Sequence, residues 1–145
     1  MDLEEAGLDK TGTITTGKKT RVAKILVIDD EPEITDIIEA FLKNAGYDVR
    51  TENSSVMGIE KARGFLPDLI LLDIMMPVMD GYQVCNELKK SPNTKNVPII
   101  FLTGKDASHD EGKSFKAGGD MFIKKPFSCE RLLEIVKIVL ISISK

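Results

Sequence analysis

Polar side chains stand at the ends of four short apolar segments of this sequence. They are Asp29, Asp30, Asp73, Thr103 and Lys125. Three carboxylates brought close together would repel one another, and the pKa of at least one would rise. A divalent cation removes this conflict, since Mg²⁺ takes oxygen ligands and is commonly shared between protein carboxylates and a phosphate. The three aspartates therefore predict a Mg²⁺ site that also handles a phosphoryl group.

The same residue types suit phosphoryl transfer to a carboxylate. An aspartate can act as a nucleophile and form an aspartyl-phosphate. The transferred phosphoryl group carries negative charge on its equatorial oxygens, which a metal ion, an ammonium and a hydroxyl can each stabilise. In this sequence Lys125 supplies the ammonium and Thr103 supplies the hydroxyl.

The elements that would position these side chains alternate along the chain. Apolar runs predict strands at residues 24–28, 47–51, 68–72, 97–102 and 120–124. Each run is followed by a segment that predicts a helix, and the fourth of these, residues 107–117, is weakly patterned. Parallel strands need crossovers, so the alternation predicts an α/β fold of the (βα)5 type, with a five-stranded parallel sheet and helices on both faces. Functional groups collect at the carboxyl ends of such strands.

Four motifs resemble those of the receiver domain of two-component response regulators. They are KILVIDDE (24–31), DLILLDIMMPVMDG (68–81), VPIIFLTG (97–104) and DMFIKKPF (120–127), in the family's order and spacing. The resemblance covers residues 24–142 and implies the doubly wound, flavodoxin-like strand order 2-1-3-4-5. We therefore expect a receiver domain at residues 23–145. The polar residues 1–22 are expected to be a flexible leader.

The resemblance also implies a role for each matched residue. Asp73 would be the phosphorylated aspartate. Lys125 would pair with the acidic site and then with a phosphoryl oxygen, and its peptide bond to Pro126 would be cis. Asp30 would be a direct metal ligand, whereas Asp29 would act largely through water. The full metal set would be Asp29, Asp30, Asp73 and the backbone carbonyl of Met75.

Switching and phosphoryl lifetime would depend on four positions. Thr103 would move to the phosphoryl group on activation. Phe122 stands at the aromatic switch position, which is often tyrosine, and it could change rotamer but could not donate a hydrogen bond. Met75 and Lys105, each two residues after a matched residue, would influence hydrolysis. Because Met75 cannot orient a water and could shield the group, we expect a long-lived phosphoryl state.

The predicted function is a signalling switch and not an enzyme with other substrates. The chain would accept a phosphoryl group on Asp73 from a sensor histidine kinase or a histidine phosphotransfer protein, and would catalyse only its own phosphorylation and dephosphorylation. A downstream effector or a homodimer would bind the face made by the fourth predicted helix, the fifth strand and the last helix. That last helix has more apolar residues than one core-facing stripe needs.

Composition narrows the possible functions. The chain has 145 residues, enough for one domain, and its net charge of −3 gives no case for nucleic-acid binding. No apolar run reaches the length of a membrane span, and the N-terminus lacks the apolar core of a signal peptide, so a cytoplasmic protein is predicted. Cys85 and Cys129 are expected to be reduced thiols. The single histidine, His109, cannot build a multi-histidine metal site.

Three alternative functions remain. A receiver-like binding module that is never phosphorylated would share the fold, although the complete polar set argues against it. A phosphatase of the haloacid dehalogenase type is suggested by DKTGT at residues 9–13, which resembles the phosphorylation motif of P-type ATPases, but no apolar strand precedes Asp9. A flavin-binding, flavodoxin-like protein would need a hydroxyl-rich loop after the first strand, where this chain is acidic.

Overall fold

The computed structural model describes residues 13–16, 19–104 and 121–143 of the protein. The strands are β1 (Thr13–Thr16), β2 (Lys19–Val22), β3 (Lys24–Ile28), β4 (Asp48–Glu52), β5 (Leu69–Asp73), β6 (Ile99–Thr103) and β7 (Met121–Lys124). The helices are α1 (Pro32–Asn44), α2 (Ser55–Phe65), α3 (Gly81–Lys89) and α4 (Cys129–Ile143). The fourth helix predicted from the sequence, residues 107–117, lies outside the described residues.

Strands β3 to β7 form a five-stranded parallel sheet in the spatial order β4-β3-β5-β6-β7. Counted along these five strands, the order is 2-1-3-4-5, which confirms the predicted fold and strand order. The bounds of β3 equal the predicted ones, and those of the other four strands differ by at most two residues, as is usual at element ends.

The sheet is buried on both faces. One face packs against α1 and α4, and the other packs against α2 and α3. Along β3, Ile25 and Val27 belong to the first of these core clusters, while Leu26 and Ile28 belong to the second. Successive strand side chains point to opposite faces, so a strand covered on both sides must be apolar throughout. This packing explains the continuous apolar runs in the sequence.

Helix starts fix the loops at the carboxyl edge of the sheet. Pro32 opens α1, where its missing N–H has no helical partner to lose. Asp80 caps α3 in a capping box, accepting from the Gln83 backbone N–H while the Gln83 side chain accepts from the Asp80 N–H, each at 2.9 Å. The cap holds one end of the loop that follows β5 and carries Met75.

Strands β1 and β2 form an antiparallel hairpin before the parallel sheet. At the end of β2, the Arg21 guanidinium donates two hydrogen bonds to the Asp68 carboxylate, at 2.7 and 2.6 Å. The Lys24 backbone N–H donates to the same carboxylate at 2.7 Å. Residues 13–16 and 19–22 are thus β-strands, whereas the sequence led us to expect a flexible leader there. Division of the chain between residues 22 and 23 stays a prediction.

Helix α4 has apolar side chains on more than its core-facing side. Its buried residues are Leu132, Ile135, Val136, Val139 and Leu140. Ile138 and Ile143 are exposed, by 52% and 42%. The predicted effector or dimer surface also includes residues 107–117, which are not described, so this surface stays a prediction.

Candidate functional site

Three aspartates meet at the carboxyl edge of the parallel sheet. Asp29 follows β3, Asp30 comes next in the chain, and Asp73 is the last residue of the neighbouring strand β5. One carboxylate oxygen from each of the three lies within 4.8 Å of the other two. The strand ends therefore bring together the three residues that the sequence nominated as metal ligands.

The Lys125 ammonium lies among these carboxylates. Its Nζ atom is 2.7 Å from Asp29 Oδ2, 3.2 Å from Glu31 Oε2 and 3.4 Å from Asp73 Oδ1. Burial lowers the pKa of Lys125, but the hydrogen bond to Asp29 and the negative charges of Asp73 and Asp29 outweigh it, so the pKa is raised. The surrounding carboxylates therefore stabilise the charged form of Lys125.

The Lys125 backbone is attached to the end of a neighbouring strand. Its N–H donates to the carbonyl of Thr103, the last residue of β6, at 2.6 Å. The peptide bond between Lys125 and Pro126 is cis. The backbone that carries the ammonium is thus held by β6 as well as by β7.

Asp73 is 4% exposed, and the pKa of its carboxyl group is raised from 3.8 to about 7. Burial contributes most by penalising the charged form. The negative charge of Asp29 adds to it, while the Lys125 ammonium opposes it. Three aspartates against one lysine leave excess negative charge. Their oxygen donors and this charge fit a hard divalent cation such as Mg²⁺.

Two residues of the site were not singled out from the sequence. Glu31 contacts Lys125, and its backbone N–H donates to Asp29 Oδ1 at 3.0 Å. Asn53 donates to the Asp29 carbonyl at 2.8 Å and to the Thr35 hydroxyl at 3.0 Å. Glu31 directly follows the acidic pair, which was a usable signal. Asn53 follows β4, whose end has no distinctive pattern.

The loop after β5 borders a cavity of about 310 Å³ over the acidic cluster. The lining residues are Asp30, Glu31, Asp73, Met75, Gly104 and Lys125. Met75 is 74% exposed. In the same loop, Val78 is 89% exposed and has a φ of 71°, a backbone conformation that costs energy for a β-branched residue.

The remaining predicted residues lie around this cavity or outside the described chain. Thr103 is buried, and its hydroxyl donates to the Gly104 carbonyl at 3.3 Å. Phe122 is half-buried on β7, where it pairs with Phe101 and packs against the core on the α2 and α3 side. Lys105 lies outside the described residues. The switch and tuning roles stay predictions.

An apolar cleft of about 400 Å³ adjoins the acidic cavity. Its apolar lining is Ile34, Ile37, Ile38, Pro126, Phe127 and Cys129. Glu31, Gly104 and Lys125 line both spaces. Ile37, on α1, is 55% exposed at the cleft. The apolar cleft therefore opens directly beside the Lys125 ammonium and the acidic cluster.

A doubly wound parallel sheet with this acidic edge is a receiver-type fold. The chain belongs to the response regulator receiver domain family, whose sequence model matches residues 25–137. Members of this family are signalling switches, and response regulators interact with histidine kinases and downstream effectors. The family match replaces the flavodoxin and phosphatase alternatives, and Asp9 lies outside the matched region.

Individual relatives agree with the family. The chain is 38% identical over 81% of its length to the DNA-binding dual master transcriptional regulator RpaA of Synechocystis sp., and covers 48% of that protein. It is 40% identical over 79% of its length to Protein PilG of Pseudomonas aeruginosa, and covers 84% of it. The chain thus spans about half the length of the first of these relatives.

A solved structure shows the same fold with a metal. The receiver domain of a sensor histidine kinase from Pseudomonas aeruginosa aligns with a TM-score of 0.75 and 31% identity, over 81% of this chain and 97% of that one. That structure has a magnesium ion coordinated in its active-site cleft.

Proposed function

We propose that this chain accepts a phosphoryl group from a phosphohistidine onto Asp73, with Mg²⁺ as cofactor. The convergence of three aspartate carboxylates within 4.8 Å, with the Lys125 ammonium among them, supports this most strongly. A purely structural role for the cluster is disfavoured, because buried like charges are costly unless a cation or ligand balances them. A binding module without phosphorylation is disfavoured by the complete polar set of Asp29, Asp30, Asp73, Thr103 and Lys125.

In the proposed reaction an Asp73 carboxylate oxygen attacks phosphorus. A P–O bond forms, the P–N bond to the donor imidazole breaks, and the imidazole nitrogen leaves with the electron pair. Asp29, Asp30 and the Met75 carbonyl would help Asp73 to hold Mg²⁺, with Asp29 acting largely through water. When bound, Mg²⁺ supplies charge neutralisation at the phosphoryl oxygens. Lys125 pairs with one phosphoryl oxygen.

Activation would follow from new contacts to the phosphoryl group. The Thr103 hydroxyl, whose bond to the Gly104 carbonyl is long at 3.3 Å, can exchange that acceptor for a phosphoryl oxygen. Phe122 is half-buried and would change rotamer with it. These differential contacts shift a two-state equilibrium toward an effector-binding or dimerising form. Lys105 would tune hydrolysis together with Met75.

A cytoplasmic location is part of the proposal. Within the described part of the chain, no helix has the length and apolar character needed to cross a bilayer. A receiver domain over residues 23–145 remains the proposed division of the chain.

Intact-mass spectrometry after incubation with acetyl phosphate tests the chemistry. We expect a gain of one phosphoryl group in Mg²⁺ and none in excess EDTA, because the metal-free carboxylates repel the incoming dianion. Peptide mapping should place the group on Asp73. A gain that persists in EDTA, or a group on another residue, would contradict the proposed site.

The apolar cleft beside Lys125 is proposed to receive an apolar side chain of the protein donor. Ile37→Lys is expected to slow transfer from a phosphorylated histidine kinase about tenfold, since burying a lysine at a contact costs roughly 1.4 kcal/mol or more. Uptake from acetyl phosphate should stay unchanged, because this small donor does not need the cleft. Radiolabel transfer and intact mass measure the two rates.

Val56→Lys is the matched control for Ile37→Lys. Val56 has similar exposure, 49% against 55%, but lies on α2 and lines neither the cleft nor the acidic cavity. It should leave both donors unaffected. Equal slowing of both donors by Ile37→Lys would show damage to the acidic site and would contradict a docking role.

A further inference from the structure

Met75 is the most exposed methionine of the described residues, at 74%. Met76 and Met79, in the same loop, pack against the core on the α2 and α3 side, whereas Met75 belongs to neither core cluster. The fold therefore gains little from the Met75 side chain. Because Met75 lines the acidic cavity, its side chain has access to the site and can have a role other than packing.

The Met75 thioether combines access to oxidants with nearness to the reacting carboxylate. It lines the same cavity as Asp73, Asp30 and Lys125. A thioether is a weak hydrogen-bond acceptor and keeps its surroundings apolar. A sulfoxide is polar, and its oxygen accepts hydrogen bonds. Oxidation would thus place a strong acceptor where an apolar group stands.

We propose that Met75 is an oxidation site through which a peroxide shortens the lifetime of the phosphoryl group on Asp73. The inference rests on the proposed function. In the step, the sulfur lone pair attacks one peroxide oxygen, the O–O bond breaks, and an S–O bond forms. The sulfur loses two electrons, and hydrogen peroxide is reduced to water. A dithiol-dependent reductase removes the oxygen again as water, while the dithiol becomes a disulfide.

The sulfoxide acts by positioning water. Hydrolysis of an aspartyl-phosphate needs a water held in line with the bond that breaks, and orientation of a reactant can change its rate by orders of magnitude. The Met75 thioether offers water no strong acceptor at the cavity, whereas a sulfoxide oxygen at the same place would hold a water by a hydrogen bond. Met75 is therefore a positioning residue whose oxidation state sets the hydrolysis rate.

The test compares phosphoryl loss before and after oxidation by hydrogen peroxide. Wild type, Met75→Leu and Met57→Leu are each oxidised, mapped by peptide mass spectrometry, phosphorylated with acetyl phosphate, and followed by intact mass. Met57 is the matched control, because it is 53% exposed but lies on α2 and does not line the acidic cavity. Each variant is compared with itself, so differences in basal rate do not matter.

We expect oxidation to speed phosphoryl loss at least about threefold in wild type and in Met57→Leu, but not in Met75→Leu. Methionine sulfoxide reductase with a dithiol should restore the slow rate, which oxidative unfolding would not allow. An unchanged rate in oxidised wild type, equal acceleration in Met75→Leu, or a fast rate that survives reduction of Met75 would overturn the inference alone. A wild type that takes up no phosphoryl group before oxidation would overturn the proposed function as well.

Discussion

Asp73→Asn is expected to abolish phosphoryl uptake and, in metal-free protein at pH 8, to raise the free energy of unfolding by about 2 kcal/mol. Uptake is lost because the amide is not a nucleophile for phosphorus. Stability rises because the substitution removes a buried charge that Asp29 repels. A pKa raised from 3.8 to about 7 means that ionising Asp73 costs about 4 kcal/mol more in the folded protein than in the unfolded chain. Water in the open cavity screens part of this cost, which is why the expected gain is smaller.

The pH dependence of this effect has a defined sign. The pKa of Asp73 is higher in the folded than in the unfolded state, so folding favours its protonated form. The contribution of Asp73 to stability is complete below pH about 3.8 and is lost as the pH rises through about 7. The advantage of the asparagine variant should therefore be largest at pH 8 and should fall to less than about half at pH 5.

Urea unfolding in EDTA at both pH values measures the difference. Mg²⁺ should reverse the sign of this stability difference, because it binds the folded wild type more tightly than the folded variant, and binding to the folded state alone adds stability. Asp48→Asn is the control, since the ion pair between Asp48 and Arg50, at 3.6 Å, is half-exposed and contributes little to stability. Lower stability of Asp73→Asn than wild type at pH 8 without metal would show that the carboxylate is not under electrostatic stress.

Gly81→Ala is expected to destabilise the fold by about 3 kcal/mol and to impair phosphorylation. A Cβ atom on Gly81 would lie 2.4 Å from the Asp73 carbonyl oxygen and 2.8 Å from the Ile74 Cα. Both neighbours are backbone atoms, so the clash cannot be relieved by a change of side-chain rotamer. Gly81 also donates its N–H to the Ile74 carbonyl at 2.8 Å, and the start of α3 would have to move away from β5.

Gly64→Ala is the matched control for this substitution. Gly64 lies in α2, and a Cβ atom there would meet nothing within 4 Å. Alanine should stabilise this helix position by roughly 0.5–1 kcal/mol. Thermal unfolding of the two variants would show opposite shifts. Equal, small shifts would mean that the loop after β5 adapts and that close packing against α3 does not position Asp73.

Local pattern made most of the fold predictable. Buried parallel strands are apolar along their whole length, so β3 and β5 could be located from composition alone. The carboxyl ends of neighbouring strands share one edge, which predicted the meeting of Asp29 and Asp73. The strand order came from the resemblance to the receiver family, because alternation of strands and helices does not specify it.

Long-range pairs of side chains were not predictable in this way. Arg21 and Asp68 are 47 residues apart. Asp68 opens the motif at residues 68–81, but nothing in that motif indicates Arg21 as its partner, so the attachment of the hairpin gave no local signal. The hydrogen bond from Asn53 to the Asp29 carbonyl joins residues 24 apart, and it gave no local signal either. The left-handed backbone conformation at Val78 was also not predictable from the sequence, because β-branched residues rarely adopt it. Such features depend on tertiary contacts.

Strand β5 connects two aspartates with different tasks. Asp68, just before the strand, anchors the hairpin through Arg21, while Asp73 ends the strand at the acidic site. Five residues of extended chain span about 16 Å, and this strand is buried along its length. A rigid strand thus separates the attachment point of the hairpin from the Asp73 carboxylate. Tags, fluorophores or fused domains attached ahead of the hairpin should leave the acidic edge of the sheet open to a protein donor.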